Sequence, residues 1–396
     1  MAPMPDDRPA GFPPDASFNV PPDVPPLHPL TRKRSSAGKY IALLAVVVAA
    51  AVVWSGVWFY AAHLTEEALA GWRLREAKAG NVHRCTREQL GGYPFRIEVY
   101  CHGLDSEFRN VVPPLQVDLA ELHVATQIYQ PNLLIAEMQG PLRIGEIGRP
   151  PVMSATWDLA QASLRGTPSA PERLSMVFDT PVVSDLTAGV AKPFARANRM
   201  EWHGRIAEGS AADHPVIETV LRLTQASFPG VHPLTIAAID ADITARLTGL
   251  RDFAPKPWAE RLRDIQAAGG SIEIVAARVA QGETVAVGSG TLGLKANGHL
   301  DGQLRLTIAG LEPFLKTIGI EHSAPVDRLV GALDRFLPGL GAAARAQAGA
   351  GVLAGMALIG EQTMLEGRKA VTVPLRLADG VVYLGPIQIG RTPPLF

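Results

Sequence analysis

The stretch Thr284–Ala309 reads TVAVGSGTLGLKANGHLDGQLRLTIA and has the pattern of a tight β-hairpin. Apolar and polar side chains alternate on both sides of Asn297-Gly298, a dipeptide that suits the positive φ angles of a two-residue turn. Strands joined by so short a turn must be antiparallel, because parallel strands need a long crossover connection. The stretch therefore predicts antiparallel sheet.

A second hairpin and several alternating segments extend the predicted sheet. Ala370–Leu377 and Val381–Ile389 flank Asp379-Gly380, which is another dipeptide typical of tight turns. Alternation with a period of two residues also predicts strands earlier in the chain. The apolar positions of these strands are Phe95, Ile97, Val99 and Cys101; Leu115, Val117 and Leu119, then Leu122 and Val124; Leu174, Met176 and Phe178; Leu221 and Leu223; and Ile243, Ala245 and Leu247.

An uncharged run from Tyr40 to Ala62 predicts a transmembrane helix. Ile41–Ala62 would reach roughly 33 Å at about 1.5 Å per residue, enough to cross a bilayer core of about 30 Å. Four basic residues precede the run and favour a cytoplasmic N-terminus, although three more follow it closely. The alternative is a signal peptide cleaved after Ala68-Leu69-Ala70, but the run is longer than a signal core and begins too far into the chain. An uncleaved anchor is therefore favoured.

Residues 1–39 form a tail rich in proline. Ten prolines lie within residues 1–30, so neither helix nor sheet can continue there. We expect a disordered cytoplasmic tail with a basic cluster; the alternative is a docking peptide for a protein that binds proline-rich segments. The predicted domains are this tail, the anchor at 40–62 and a body at 63–396, with a division of the body into two sub-domains near residue 250 left open.

Amphipathic helices are predicted to interrupt the sheet. The segment 63–80 has apolar residues at helical spacing as the chain leaves the membrane. A second helix begins near Trp258 and ends at Gly269-Gly270, and further helices are predicted at 326–337 and 342–358. The predicted fold class is α+β: mainly antiparallel β-sheet with a few amphipathic helices, preceded by one transmembrane helix.

The composition indicates a folded chain without a general affinity for nucleic acid. Of the 396 residues, 47% are hydrophobic and only 19% are charged, which is too apolar for a disordered protein. The formal net charge is −1, so no basic excess exists to release counterions from nucleic acid.

The two cysteines, Cys85 and Cys101, lie soon after the predicted anchor. An even number of cysteines outside the cytosol favours a disulfide, which would support a periplasmic body. Two unpaired buried cysteines or a metal pair are the alternatives. The spacing matches no zinc pattern, so the metal alternative is weak.

No catalytic, cofactor or metal site is predicted. Gly288–Gly293 satisfies Gly-x-Gly-x-x-Gly, but the Asn297-Gly298 turn follows where a dinucleotide site needs a helix. Asp240 and Asp242 share one strand face and could hold a cation, although a solvated sheet face explains them better. The ten histidines are scattered, and each one is better explained as a surface or hydrogen-bonded residue than as a ligand.

The segment from Cys85 to Cys101 reads CTREQLGGYPFRIEVYC and resembles the N-terminal signature of domain-of-unknown-function family 2125 (DUF2125). The terminal segment from Val373 through Asp379-Gly380 to Leu395 is also similar to this family. The resemblance implies a membrane-anchored envelope protein of Gram-negative bacteria, hence an inner-membrane location, and it implies no catalytic residues. A Tyr-Pro-Phe strand after an anchor is more loosely similar to AsmA-like envelope proteins, which are linked to lipid handling.

These observations lead to two main functional hypotheses. The first is a binding protein whose sheet encloses an apolar groove for acyl chains, with Leu221, Leu223, Ile243 and Leu306 as the groove residues. The second is a non-catalytic structural or assembly factor that scaffolds envelope proteins through an exposed apolar patch. A hydrolase with dispersed residues is the weakest hypothesis, because its motifs are missing.

Overall fold

The computed structural model describes residues 37–167, 170–229, 235–254, 256–310, 360–385 and 387–396. The chain divides into two compact units, with the boundary between Val53 and Trp54. The helices predicted at 326–337 and 342–358 and the tail at 1–36 lie outside the described residues.

Helix α1, Ala37–Lys78, contains both the predicted anchor and the predicted exit helix. The predicted anchor and exit helix form one continuous element, because neither proline nor glycine interrupts the chain near residue 63. Among the described residues, α1 is the one helix long and apolar enough to cross a membrane.

The described residues form nineteen strands and one further helix, α2, Trp258–Ala267. The strands are β1 Asn81–Gly91, β2 Arg96–Phe108, β3 Leu115–Gln127, β4 Gln130–Glu146, β5 Met153–Thr156, β6 Leu159–Thr167, β7 Ala170–Asp179, β8 Val182–Asp185, β9 Lys192–Arg196, β10 Arg199–Ser210, β11 Asp213–Ala226, β12 Ile239–Leu247, β13 Ser271–Gln281, β14 Thr284–Leu294, β15 Leu300–Ala309, β16 Glu361–Leu365, β17 Arg368–Ala378, β18 Val381–Leu384 and β19 Ile387–Arg391. The predicted α+β class with a mainly antiparallel sheet is confirmed.

One antiparallel meander connects most of these strands. Hydrogen-bonded neighbours follow the order β1, β2, β3, β4, β6, β7, β10, β11, β12, β13, β14, β15, β17, β18 and β19. Strands β5, β8 and β9 branch from β4, and β16 pairs with β17. Each strand therefore lies beside one that is close to it in sequence.

The two predicted hairpins are present. Lys295 N donates to His299 O at 2.9 Å, so the first turn has three residues, Ala296 to Gly298, rather than the predicted two. Of these three, Gly298 alone has a positive φ, 80°, and β14 pairs with β15 from Val285 to Leu294. Asp379 and Gly380 have φ angles of 49° and 77°, as a tight turn with two left-handed residues requires. The predicted strand Val381–Ile389 is in fact two strands, β18 and β19, which pair with each other around Gly385.

Helix α2 ends as the sequence predicts. Gly269 has a φ of 65° and donates its N–H to Gln266 O, while Gly270 N donates to Ile265 O at 2.8 Å. These bonds satisfy carbonyl groups at the end of the helix. A Cβ atom on Gly270 would lie 2.5 Å from Thr248 O, so only glycine fits this close approach between α2 and the end of β12.

Candidate functional site: the apolar face of the sheet

One cross-strand row of apolar residues runs through the sheet. The strand register places thirteen residues from thirteen strands side by side, each directly opposite the next. In order they are Leu90, Val99, Val124, Ala136, Ala162, Met176, Trp202, Leu221, Ile243, Ala277, Gly288, Leu306 and Val373, which we call the central row. Twelve steps of about 4.8 Å between strands give the row a length of roughly 58 Å along the sheet.

The rows on either side of the central row are also apolar. One of them contains Ala160, Phe178, Met200, Leu223, Ala241, Val279, Ala286, Ile308 and Val371. The other contains Leu134, Leu164, Leu174, Gly204, Thr219, Ala245, Ile274, Gly290, Leu304 and Leu375, in which Thr219 is the one polar side chain. Because side chains two residues apart point to the same face, the three rows form one apolar face.

The opposite face of the same strands carries charges that pair both within a strand and across strands. Arg222 Nε lies 3.0 Å from Asp242 Oδ2, and Arg199 Nε lies 2.6 Å from Glu201 Oε1. The hydrogen bond from Arg199 lowers the pKa of the Glu201 carboxyl below its ordinary value. Asp240 accepts hydrogen bonds from Gln225, so the two predicted aspartates belong to this solvated, ion-paired face. The sheet therefore has one apolar and one charged face.

Helices pack on the apolar face at two places. Trp58 and Ala62 of α1 pack against Ile97, and Leu90 of the central row joins that cluster. At the ends of strands β12, β13 and β14, a mostly apolar cavity of about 210 Å³ lies between α2 and the sheet. The cavity is lined by Trp258, Leu262 and Ile265 from α2, and by Leu247, Ile272 and Leu292 from the sheet.

In the middle of the sheet, the apolar side chains are half-buried. Trp202, Leu221 and Ile243 all have intermediate exposure, although their strands lie in the middle of the sheet. Large apolar side chains at the centre of a domain are normally buried under a second layer, and a contiguous exposed apolar surface marks an interaction site. The middle of the apolar face is therefore the candidate binding surface.

The structure brings the four predicted groove residues onto this face. Leu221, Ile243 and Leu306 belong to the central row, and Leu223 belongs to the next row. Leu306 leans over Gly288, where a Cβ atom would lie 2.4 Å from Leu306 Cδ2. The glycines of the Gly-x-Gly-x-x-Gly match lie inside β14, and the small size of Gly288 makes room for this leucine. The role of the four residues as ligand contacts stays a prediction.

Sequence reasoning missed the aromatic centre of the face. Trp202 is not among the predicted groove residues, yet its ring lies over Gly204, where a Cβ atom would come within 2.9 Å of Cη2. The signal was available, since Met200, Trp202, Gly204 and Ile206 alternate with charged or polar residues along β10.

A disulfide joins Cys85 to Cys101, with the two Cα atoms 5.3 Å apart. It links β1 to β2, the hairpin on which α1 packs. Arg73 of α1 forms an ion pair with Glu88, close to the disulfide. The predicted pairing is present, and it is compatible with a body in an oxidising compartment.

Comparison with known proteins identifies the family. The profile of the family described as "Uncharacterized protein conserved in bacteria (DUF2125)" matches residues 58–393. The chain belongs to the DUF2125 family. The resemblance read from the cysteine-bracketed segment is thus confirmed, and the matched range covers the whole sheet. No curated protein and no solved structure matches this DUF2125 chain.

Within the described ranges, no group of three or more His, Cys, Asp or Glu side chains could hold a metal ion. His203 lies 3.6 Å from Glu201 on the charged face, and His214 lies 2.7 Å from Asp213 at the exposed start of β11. His232 lies outside the described residues.

His83 on β1 is the histidine held between α1 and the sheet. Its ring stacks on Trp72 with the ring centroids 4.9 Å apart, and Nδ1 is 2.9 Å from Ser106 Oγ. Burial lowers the pKa of His83 below 6.5; nearby Glu76 opposes this effect and Arg73 adds to it. The contact with α1 therefore disfavours protonation of this ring.

We expect the DUF2125 chain to lose stability as the pH falls below about 6.5, the ordinary pKa of histidine. Because the pKa of His83 is lower in the folded chain, the unfolded chain takes up the proton first, and acidification favours unfolding. The measurement is urea unfolding of the full chain in detergent between pH 7 and pH 5. His83→Gln should flatten the pH profile, because it removes the group whose pKa differs between the folded and unfolded chains. Identical slopes for His83→Gln and the unaltered chain would contradict this assignment.

Proposed function

We propose that the chain is a membrane-anchored binding protein that holds the acyl chains of an envelope lipid along the apolar face of its sheet. The supporting observation is the central row: thirteen adjacent strands each contribute an uncharged, apolar or glycine residue, and its middle is half-buried. No charged side chain interrupts that row, and the indole N–H of Trp202 is its one polar side-chain group, so the face suits hydrocarbon rather than a polar ligand.

The length of the apolar face indicates how many acyl chains it can hold. A bilayer core of about 30 Å gives each lipid tail about 15 Å of depth. Leu90 at one end of the central row packs against α1 and Val373 at the other end is 2% exposed, so the available part runs from Val99 to Leu306. Its ten steps of about 4.8 Å span roughly 48 Å, about three times the depth of one tail. We therefore infer that the face holds more than one acyl chain, either from one multiply acylated lipid or from several lipids.

The energetics favour exchange with a membrane over capture from water. Each buried CH₂ gains about 0.8 kcal/mol relative to water. A tail that moves from a bilayer to the apolar face is apolar on both sides, so most of that gain cancels. α1 would keep the sheet beside a membrane, where such exchange is nearly balanced.

The location proposed for this function follows from α1 and the disulfide. Four basic residues before the apolar run support a cytoplasmic N-terminus, and the disulfide supports a periplasmic body at the inner membrane. Together they would place the apolar face on the periplasmic side of the inner membrane.

Native mass spectrometry of the full chain, released from membranes in mild detergent, tests the proposal. We expect acylated species to remain bound at a defined stoichiometry, and extraction of the same sample identifies their class. A folded, disulfide-bonded chain that carries no acylated species would contradict lipid binding and support the scaffold hypothesis instead.

A further inference from the structure

Exposed aromatic side chains gather where the first hairpin turns. Tyr93 and Phe95 follow the end of β1, and Tyr129 lies in the adjacent turn between β3 and β4. Their exposures are 58%, 58% and 67%, and Phe59 of α1 beside them is 65% exposed. Tyr93 and Phe59 stack with the ring centroids 6.3 Å apart. We call these four residues the aromatic tip.

The tip is fixed to α1 at two tryptophans. Trp54 Nε1 donates to Pro94 O at 2.9 Å, and Trp58 Nε1 donates to Arg96 O at 2.7 Å. Tyr93 packs edge-on against Trp58 at 5.5 Å. The depth of the tip is therefore the depth of these two tryptophans.

Those tryptophans fall inside the span if α1 crosses a membrane. A transmembrane helix needs about 20 residues. Counted from Ile41, such a span ends at Tyr60, beyond both Trp54 and Trp58. Atoms hydrogen-bonded to their indoles must then lie within the interfacial region or the outer hydrocarbon. Tryptophan and tyrosine prefer this level of a bilayer.

Several backbone groups of the tip are hydrogen-bonded within the protein, as an environment with little water requires. Gly92 O accepts the N–H of Arg96 at 2.9 Å, and Phe95 O accepts the N–H of Ile128 at 3.2 Å. The carbonyls of Pro94 and Arg96 are satisfied by the two indoles. A turn in water needs none of these partners, whereas a turn in lipid must satisfy its polar groups internally.

We propose that the aromatic tip inserts into the bilayer as a second membrane contact, beside α1 and on the same side as the body. The partner is the interfacial layer of the lipid bilayer; the long side chain of Arg96, which follows the tip, can reach its headgroups. The inference rests on the membrane anchoring proposed above but not on lipid binding by the sheet. Since Leu90 of the central row packs with Trp58, insertion would bring the start of that row to the membrane.

Photo-crosslinking of the full chain in phosphatidylcholine–phosphatidylglycerol vesicles tests the insertion. A benzophenone amino acid replaces Phe95 in one variant and Tyr129 in a second, both already exposed aromatic positions. Val48 in the apolar run is the positive control, and Val190, 75% exposed in the loop between β8 and β9, is the negative control. We expect lipid adducts at positions 48, 95 and 129, at about tenfold or more above position 190, because crosslinking needs an acyl chain within contact distance.

The outcomes distinguish a failure of tip insertion from a failure of membrane anchoring by α1. Adducts at position 48 without adducts at 95 and 129 would overturn tip insertion and leave the anchor intact. No adduct at any position would overturn insertion together with the anchoring on which it rests. Adducts at 190 equal to those at 95 would also overturn it, because labelling would then report exposure alone.

Discussion

Replacing Ile243 with aspartate should remove most of the acylated lipid that the full chain retains. Ile243 lies in the middle of the central row, opposite Leu221 and Ala277. A carboxylate placed against hydrocarbon costs several kcal/mol even after relaxation, and about 1.4 kcal/mol already corresponds to tenfold in affinity. Retained lipid should fall by more than about tenfold. Aspartate is chosen over lysine because its short side chain cannot carry the charge out to water.

Thr244→Asp is the matched control, since it places the same charge one residue further along β12. Thr244 pairs with Val220 and Ala276 on the charged face of the sheet. This variant should retain as much lipid as the unaltered chain. Both variants keep α1, so any lipid held around the helix cancels in the comparison. Equal lipid content in Ile243→Asp and Thr244→Asp would contradict binding on the apolar face.

A second matched pair protects the test from a folding defect at one site. Leu221→Asp changes the central row on β11, and Val220→Asp changes the opposite face of the same strand. Circular dichroism and the intact disulfide report folding in each variant. Two folded central-row variants that both keep their lipid would overturn the proposed function.

The elements that could be predicted from the sequence are those with local signals. The Asn297-Gly298 and Asp379-Gly380 turns each specify a hairpin within a few residues, and Gly269-Gly270 ends α2 for a local reason. The short strands β5, β8 and β9 were not predicted, because a strand of four or five residues shows too little alternation.

The central row could not be predicted because it depends on register between strands. Alternation shows that Leu221 and Ile243 each lie on an apolar face, but it does not show that they are partners. The loop between β11 and β12 is long, so no tight turn fixes their pairing. An additional residue in β13, Val275, also shifts the register between β12 and β13, so that Ala277 rather than Ala276 faces Ile243. Alternation thus predicts the groove residues of each strand separately, but it does not predict that they share one continuous face.

Removing the disulfide should cost the folded body about 3 kcal/mol, the largest stability effect expected from any single contact described above. Cys85 and Cys101 are 16 residues apart, and closing a loop of this size restricts the unfolded chain by about that free energy. The relevant variant is the double substitution Cys85→Ser with Cys101→Ser, which leaves no free thiol. Urea unfolding of the full chain in detergent, followed by tryptophan fluorescence, should show a midpoint shifted to lower urea.

Without the disulfide, unfolding should begin at the contact between α1 and the first hairpin, because the disulfide links the two strands against which α1 packs. Trp58 and Trp72 report that contact directly, through their packing on Ile97 and His83. A reductant should move the midpoint of the unaltered chain to that of the double variant and leave the double variant unchanged. Coincident midpoints with and without reductant in the unaltered chain would show that the first hairpin is held by α1 and its ion pairs alone. In that case the disulfide would mark the compartment of the body without stabilising it.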